Sequence, residues 1–125
     1  AGVVSTVKAL DDNSLVKEAV AEPGGGRVLV IDGGGSMQRS MVGGNVAAEA
    51  ADNGWAGFVV YGAVRDSHEL AATDIGVFAL STVPRKTEKH GIGTRDEPVT
   101  LGGVTINTGD RIYCDRDGVV VLPPA

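Results

Sequence analysis

Cysteine, aromatic residues and long apolar runs are all scarce in this sequence. Its one cysteine, Cys114, can form neither an intrachain disulfide nor a multi-thiolate metal site, and such cysteine usage is typical of a reducing compartment. No apolar run approaches the roughly 20 residues that a membrane-spanning helix needs. We therefore expect a cytoplasmic protein that has no membrane partner.

Positive charge is also scarce. Eleven lysine and arginine residues stand against sixteen aspartate and glutamate residues, which gives a net charge of −5. The basic residues are scattered along the chain, so they form no stripe on which a phosphate backbone could lie. We expect no direct nucleic-acid partner.

The beginning of the chain lacks both a methionine and a polar segment before the first predicted strand. Ala1 is followed almost at once by the alternating stretch VVSTVKAL, residues 3–10, which is typical of a strand. With 125 residues, of which 42% are hydrophobic, the chain can form one domain with its own core but not two. We expect a single domain over residues 1–125 that lacks an N-terminal segment.

The common cofactor motifs are incomplete. The stretch VLVIDGGGS, residues 28–36, is similar to the strand and loop of a nucleotide or S-adenosylmethionine site, but Gly-x-Gly-x-x-Gly counted from Gly33 requires glycine where Gln38 stands. A methyltransferase-type Asp-x-Gly-x-Gly pattern counted from Asp32 ends on Ser36. A turn that needs positive φ angles explains this loop better.

Nucleophilic and zinc-dependent chemistry lacks the residues that it requires. The histidines His68 and His90 are far apart in sequence, and no serine or cysteine lies in a nucleophile elbow, so neither a catalytic triad nor a zinc site is indicated. Lys8, in a predicted strand, could be a Schiff-base amine, but a lysine that faces solvent explains it more simply. Cys114 alternates with Ile112 and is best explained as a core residue.

Glycine, in contrast, is abundant. The nineteen glycines are about twice the usual share of roughly 7%, and they lie at the ends of apolar runs, where they indicate tight turns. The patterns predict strands over 3–10, 27–32, 57–64 and 76–80, helices over 14–21, 45–54 and 67–73, a polar loop over 84–98, and β runs at 99–101, 104–106, 111–114 and 119–122. We expect Asn13 or Ser14 to cap the first helix and Asn45 the second. The first half is thus predicted to be α/β, with a parallel strand–helix–strand unit over 27–64, and the second half mostly β.

A candidate site lies where two glycines precede a helix and two opposite charges follow a strand. Gly43 and Gly44 come just before the helix that Asn45 should cap, and the first turn of that helix offers unpaired N–H groups to an anion. Arg65 and Asp66 follow the next strand, so both segments border the carboxyl edge of one parallel sheet. We predict that the glycine loop holds a substrate carboxylate, Arg65 a substrate oxygen and Asp66 a divalent cation. The alternative is a solvated turn beside a helix that binds nothing.

These residues match a known signature. Gly44, twenty intervening residues, Arg65, Asp66, two further residues and Glu69 resemble the Gly-x20-Arg-Asp-x2-Glu/Asp pattern of the class II 4-hydroxy-4-methyl-2-oxoglutarate aldolases. The stretches GRVLVIDGGGSMQRSMVGGN, GWAGFVVYGAVRD, DIGVFAL, LGGVTINTGD and DRDGVVV resemble the same family and its relatives, the regulators of ribonuclease E activity A (RraA). The resemblance covers nearly the whole chain. It implies an α/β/β sandwich of the swivelling type, assembled as a homotrimer with active sites between subunits, and leaves open whether trimers pair further.

The resemblance also implies roles for individual residues. By position, the substrate-binding loop falls on Gly43, Gly44, Asn45 and Val46. Arg65 is the implied substrate-binding and catalytic arginine, Asp66 the catalytic metal ligand, and Glu69 a support for the metal through water. The implied enzyme is a metal-dependent lyase that forms a pyruvate enolate, either by retro-aldol cleavage of 4-hydroxy-4-methyl-2-oxoglutarate or by decarboxylation of oxaloacetate. An oxygen-rich site without histidine or cysteine indicates Mg²⁺ or Mn²⁺ as the cofactor.

The competing hypothesis is a non-catalytic regulator that binds and inhibits ribonuclease E. Members of that branch can lack the aspartate after the arginine, so Asp66 favours the enzyme without excluding both roles. The physiological substrate stays open among 4-hydroxy-4-methyl-2-oxoglutarate, 4-carboxy-4-hydroxy-2-oxoadipate and oxaloacetate. A menaquinone-pathway methyltransferase, a label sometimes attached to such chains, conflicts with the incomplete loop at 33–38.

Overall fold

The computed structural model describes residues 2–36, 38–66, 70, 73, 75–85, 87, 90–101, 103–115 and 118–124, which form short strands, two helices whose full bounds are described and one further helical residue, Leu70. The strands are β1 (Gly2–Lys8), β2 (Val28–Asp32), β3 (Ser40–Val42), β4 (Gly57–Val64), β5 (Gly76–Thr82), β6 (Thr94–Arg95), β7 (Val99–Leu101), β8 (Val104–Ile106), β9 (Arg111–Asp115) and β10 (Gly118–Leu122). The helices are α1 (Ser14–Val20) and α2 (Gly44–Asp52). The predicted helix over 67–73 lies mostly outside the described residues.

The centre of the main sheet is the buried strand β2. It pairs in parallel with β1 on one side and with β4 on the other, so the predicted strand–helix–strand unit over 27–64 is confirmed. The strand order is β10-β9-β1-β2-β4-β3, with β5 parallel to β4 and β6 antiparallel to β1. All five residues of β2 are buried, as expected of a strand covered on both faces.

Alternate residues of β2 supply two cores on opposite faces of the sheet. Leu29 and Ile31 pack with α1 and α2, whereas Val28 and Val30 pack towards the β7–β8 hairpin. Each fully buried valine, leucine or isoleucine contributes about 1.5–3 kcal/mol. Helices on one face and a second, two-stranded sheet on the other confirm the predicted α/β/β sandwich.

The predicted cap of α2 is wrong. Asn45 lies exposed within the first turn, because the helix begins one residue earlier and Gly43 is its N-cap. The N–H group of Gly44 is instead bound by the Asp66 carboxylate, which comes from the end of β4. Asn13 is the N-cap residue of α1 as expected, but the Ser14 N–H donates to Asp12 rather than to the Asn13 side chain.

Other expectations hold with shifted boundaries. The strand expected over 3–10 ends at Lys8, whose side chain is exposed, and the polar loop over 84–98 contains the two-residue strand β6. Strand β3 has no counterpart in the sequence prediction. Cys114 is half-buried against the second core. No helix within the described residues is long and apolar enough to cross a membrane.

Candidate active site

Arg65 is held at the carboxyl edge of the sheet by its own backbone. It directly follows β4, and its N–H donates to the carbonyl oxygen of Val42 at 2.9 Å, which continues the parallel pairing of β3 with β4. Gly43 comes next after Val42. The short strand β3 therefore brings the glycine loop and the arginine to the same edge, as the sequence predicted.

Gly43 has to be glycine because of space. Its backbone, with φ −120° and ψ −176°, is extended and accessible to any residue. A Cβ atom at this position would lie 2.6 Å from Nε of Arg65 and 3.1 Å from Oδ2 of Asp66. Arg65 thus packs directly over the glycine backbone, and any side chain there would displace it.

Asp66 connects the two segments. Its Oδ2 accepts a hydrogen bond from the Gly44 N–H at 3.1 Å and lies 3.8 Å from Nε of Arg65. Its backbone has φ 58°, in the left-handed region, which aspartate tolerates better than most residues. Because the Arg65 and Asp66 side chains are 25% and 37% exposed, their ion pair adds little stability and both groups are open to a ligand.

The first turn of α2 faces the same point. Helix hydrogen bonding starts with the Ala47 N–H, which donates to the Gly43 carbonyl at 3.0 Å, so the N–H groups before it have no intrahelical acceptor. Val46 packs into the core, so this residue can serve a ligand only through its backbone. The predicted loop over residues 43–46 thus offers N–H groups and the positive end of the helix dipole.

Comparison with known proteins identifies the family of this chain. The RraA-like model, described as Aldolase/RraA, matches residues 1–121. The chain belongs to this family. A relative from Alkalilimnicola ehrlichii, which carries the provisional name 4-hydroxy-4-methyl-2-oxoglutarate aldolase, is 59% identical over 120 residues, 96% of this chain and 74% of the relative.

Two solved structures are also similar to this chain. The RNA-processing inhibitor RraA from Thermus thermophilis has a TM-score of 0.97 and 44% identity, over 98% of this chain and 75% of that one. A protein named S-adenosylmethionine: 2-dimethylmenaquinone methyltransferase from Geobacillus kaustophilus has a TM-score of 0.97 and 42% identity, over 99% of this chain and 77% of that one. The chain spans about three quarters of the length of these relatives.

The loop at 33–36 is a turn of the kind that the sequence predicted. Gly34 and Gly35 have φ angles of 69° and 72°, which glycine adopts most readily. The N–H groups of Gly33 and Gly35 both donate to the carbonyl of Tyr61 at 3.0 Å. These two donors bind the adjacent strand β4 and are therefore not available to an incoming phosphate.

The donor set of the site fits only a sparsely ligated cation. Within the described part of the chain, no three histidine, cysteine, aspartate or glutamate side chains come together as a metal cluster. Asp66 is half-exposed and carries carboxylate oxygens, the ligand type that Mg²⁺ and Mn²⁺ prefer. It could hold such an ion together with water. Glu69, the predicted support for the metal, and His68 lie outside the described residues.

A buried polar cluster behind the site was not foreseen. Asp12, 1% exposed, accepts hydrogen bonds from the Ser14 N–H and hydroxyl and from the N–H groups of His90 and Ile92. Burial acts to raise the pKa of Asp12, but the four hydrogen bonds outweigh it and lower that pKa from 3.8 to about 2. The only sequence signal for this cluster is the polar run Asp-Asp-Asn-Ser at the start of α1.

Proposed function

We propose that this RraA-like chain is a divalent-metal-dependent lyase. It would cleave 4-hydroxy-4-methyl-2-oxoglutarate by a retro-aldol reaction that yields pyruvate, and decarboxylate oxaloacetate through the same pyruvate enolate. The observation that carries the proposal is the packing of Arg65 and Asp66 against the glycine start of α2. The provisional name of the 59%-identical relative supports it.

Substrate binding would use the start of α2. A 2-oxo acid carries a carboxylate, and the N–H groups of Asn45 and Val46 together with the helix dipole suit that anion. The absence of a side chain at Gly43 lets Arg65 pack against the backbone at the start of α2, next to the N–H groups that would bind the carboxylate. Asn45, whose side chain is exposed, can contact the part of the substrate that extends towards solvent.

Arg65 would bind the oxygen on which charge develops. When the scissile C–C bond breaks, its electron pair moves into the enolate, and negative charge grows on the former keto oxygen. A planar guanidinium can hold that oxygen and a carboxylate oxygen at once. Because this charge is larger in the transition state than in the bound keto acid, the interaction lowers the barrier.

Asp66 would hold the cation, with water completing the coordination and Glu69 supporting it through water. A bound Mg²⁺ or Mn²⁺ would supply additional positive charge next to the developing enolate. Asp66 is preorganised for this role, because the Gly44 N–H fixes one carboxylate oxygen. The bond also couples the metal ligand to the substrate loop.

Assembly belongs to the same proposal. A groove of about 410 Å³ on the hairpin face of the sheet is lined by apolar side chains from five strands: Val59, Val60, Tyr61, Phe78, Ala79, Leu80, Leu101, Val104, Ile106, Val119 and Val121. Apolar patches of this kind are typical of surfaces that a protein partner covers. We include in the proposal a homotrimer, able to pair further, in the cytoplasm.

A second function stays open beside the first. The chain is 44% identical to an RNA-processing inhibitor with a TM-score of 0.97, so the same fold supports regulation by protein contact. Ribonuclease E is the partner that the sequence resemblance implies. This activity would use the surface of the protein and not Asp66, so the two functions separate on substitution of that residue.

The test measures pyruvate release from oxaloacetate and from 4-hydroxy-4-methyl-2-oxoglutarate with and without Mg²⁺. We expect activity with both substrates, complete loss in EDTA and recovery on adding excess Mg²⁺, because a single carboxylate gives only modest affinity. Asp66→Asn should lose activity but keep the assembly state and thermal stability, since asparagine can still accept the Gly44 N–H. Full activity after exhaustive EDTA treatment would contradict the metal role.

A further inference from the structure

We propose that Asn13, held in place by Thr87, is a positioning residue for the substrate loop over residues 43–46. The role rests on the proposed function, since it acts on the loop that would bind the 2-oxo acid. It adds to the site the N-cap residue of α1 and a residue of the polar loop, to which the sequence assigned no role in substrate binding.

Asn13 and Thr87 form a buried polar pair. Both residues are only 8% exposed. The Thr87 hydroxyl donates to Oδ1 of Asn13 at 2.6 Å, and Nδ2 of Asn13 donates to the carbonyl oxygen of Met41 at 3.3 Å. A buried amide is costly unless both ends are hydrogen-bonded, so losing either bond would release the other partner.

Met41 is the point at which this pair reaches the site. The next three residues each make one of the site contacts: Val42 accepts the Arg65 N–H, Gly43 packs under the Arg65 side chain and Gly44 donates to Asp66. Strand β3 is only three residues long, and its pairing with β4 is irregular. So short a strand needs an anchor outside its own ladder, and Asn13 supplies it at the middle residue.

The same segment fixes the polar loop. The Asp12 carboxylate accepts the N–H groups of His90 and Ile92, and the Ser14 hydroxyl accepts that of Gly91. The Ser40 N–H donates to the Arg85 carbonyl at 2.9 Å. The polar loop and β3 are thus tied to the same three residues at the start of α1, and the order of one depends on the order of the other.

A purely structural pair would stabilise the fold without a specific effect on the loop. Thr6 provides the matched comparison, because it is also a buried threonine that ties the polar loop: its hydroxyl donates to the Glu97 carbonyl at 2.7 Å. That bond leads to β1 and not to β3. Thr87→Val and Thr6→Val therefore each remove one buried hydroxyl that ties the polar loop. Thr87 lies within the loop, whereas Thr6 holds it from β1, where its hydroxyl also lies 3.3 Å from that of Thr108.

The experiment is hydrogen exchange measured by mass spectrometry on peptides that cover residues 40–46. Thr87→Val should speed exchange of these amides by about 5- to 10-fold, the effect of one lost buried hydrogen bond, while Thr87→Ser restores wild-type rates. Thr6→Val should leave them unchanged even where it lowers the melting temperature equally. Unchanged exchange in Thr87→Val, or equal acceleration by Thr6→Val, would overturn the proposal.

Wild-type protein gives a second readout should Thr87→Val fail to fold. Pyruvate with Mg²⁺ should slow exchange at residues 40–46 and also at residues 90–92, which bind Asp12 and Ser14 on either side of Asn13; protection confined to residues 40–46 would count against the coupling. In the folded variant, KM for oxaloacetate should rise more than kcat falls. If wild-type protein neither binds pyruvate nor releases it, the proposed function fails, and the comparison of Thr87→Val with Thr6→Val still decides the positioning role.

Discussion

At the residue scale, Arg65 allows a direct test of the proposed chemistry. Its planar fork can bind two oxygens, which a lysine ammonium cannot reproduce. Arg65→Lys keeps the charge, so we expect a loss of about 2–4 kcal/mol of transition-state stabilisation, or roughly 30- to 1000-fold in kcat/KM. Steady-state kinetics on oxaloacetate at saturating Mg²⁺ measures it. Arg111→Lys is the control, because Arg111 lies on β9 and its Nε donates to the Pro123 carbonyl.

The fall in Arg65→Lys should appear in kcat as well as in KM, because the charge on the bound oxygen increases as the reaction proceeds. If Arg65→Lys retains more than half of the wild-type kcat/KM, Arg65 is better explained as part of a solvated turn that binds no substrate. The regulatory function would then become the stronger hypothesis.

Gly43 makes a second prediction at this scale. Its extended backbone accepts alanine without strain, but the added Cβ would come within 2.6 Å of the Arg65 Nε. We expect Gly43→Ala to lose activity by about 10- to 100-fold through the displaced arginine, while its melting temperature stays close to that of the wild type.

Gly76→Ala is the control for Gly43→Ala, since the nearest atom to its added Cβ, the Ala56 carbonyl oxygen, lies at an ordinary 3.9 Å. Activity should be unchanged there. If Gly43→Ala also shows wild-type kinetics, the close packing of Arg65 on the glycine backbone has no catalytic importance.

That the candidate site residues come together could be predicted from the sequence, but the contacts between them could not. The order glycine pair, helix, strand, Arg65 and Asp66 implies that the two segments meet at one sheet edge, and they do. The capping of α2 by Asp66, in contrast, depends on how β3 aligns with β4. Local propensity favours Asn45 as the cap, but the tertiary hydrogen bond between the Gly44 N–H and Asp66 takes the place of a local cap.

At the element scale, α1 is joined to the polar loop by the Asp12 carboxylate, and this makes stability depend on pH. The pKa of Asp12 is about 2 in the folded protein against 3.8 when unperturbed. Because the pKa is lower in the folded protein, the ionised Asp12 carboxylate stabilises the fold above pH 3.8. This stabilisation is lost as the pH falls from 3.8 towards 2. The contribution is about 2 kcal/mol at neutral pH.

We therefore expect Asp12→Asn to lower the free energy of unfolding by about 2 kcal/mol at pH 7, and the difference from wild type to shrink between pH 4 and pH 2. Urea denaturation across this range measures it. Ser14→Ala removes one hydrogen-bond donor to the carboxylate and should lower the free energy of unfolding by a smaller amount than Asp12→Asn does. A difference between Asp12→Asn and wild type that does not change with pH would contradict the ionic origin of the effect.

Elements with a strong local pattern were predictable, and those that depend on distant contacts were not. Strands β2 and β4 are largely apolar runs with glycine close to at least one end, so both their existence and their parallel pairing could be predicted from the sequence. Strand β3 is too short to have a pattern. In strand β6, Arg95 forms ion pairs with Glu18 of α1 and with Glu22 just after this helix, and no local signal predicts contacts so distant in sequence.

At the scale of the whole molecule, the apolar groove is the feature that is hardest to explain if the protein is a monomer. Val104 lies on its rim with 49% of its surface exposed, and Leu80 and Tyr61 are exposed beside it. The two-layer core beneath is built from small aliphatic side chains, and aromatic residues are only 4% of the sequence. Such a chain gains stability when a further apolar surface is buried between copies.

We expect a homotrimer at micromolar concentration in analytical ultracentrifugation, and Val104→Glu should dissociate it, because a buried carboxylate without a partner is costly. Thr105→Glu is the matched control: it adds the same charge one residue along β8, on the opposite face of the hairpin, where the Thr105 hydroxyl lies 3.3 Å from that of Thr100. This variant should stay trimeric. Retention of the trimer by Val104→Glu would remove the groove from the interface, and a monomeric wild type would contradict the proposed assembly. Because the family resemblance implies active sites between subunits, dissociated Val104→Glu should also lose lyase activity although Arg65 and Asp66 are intact.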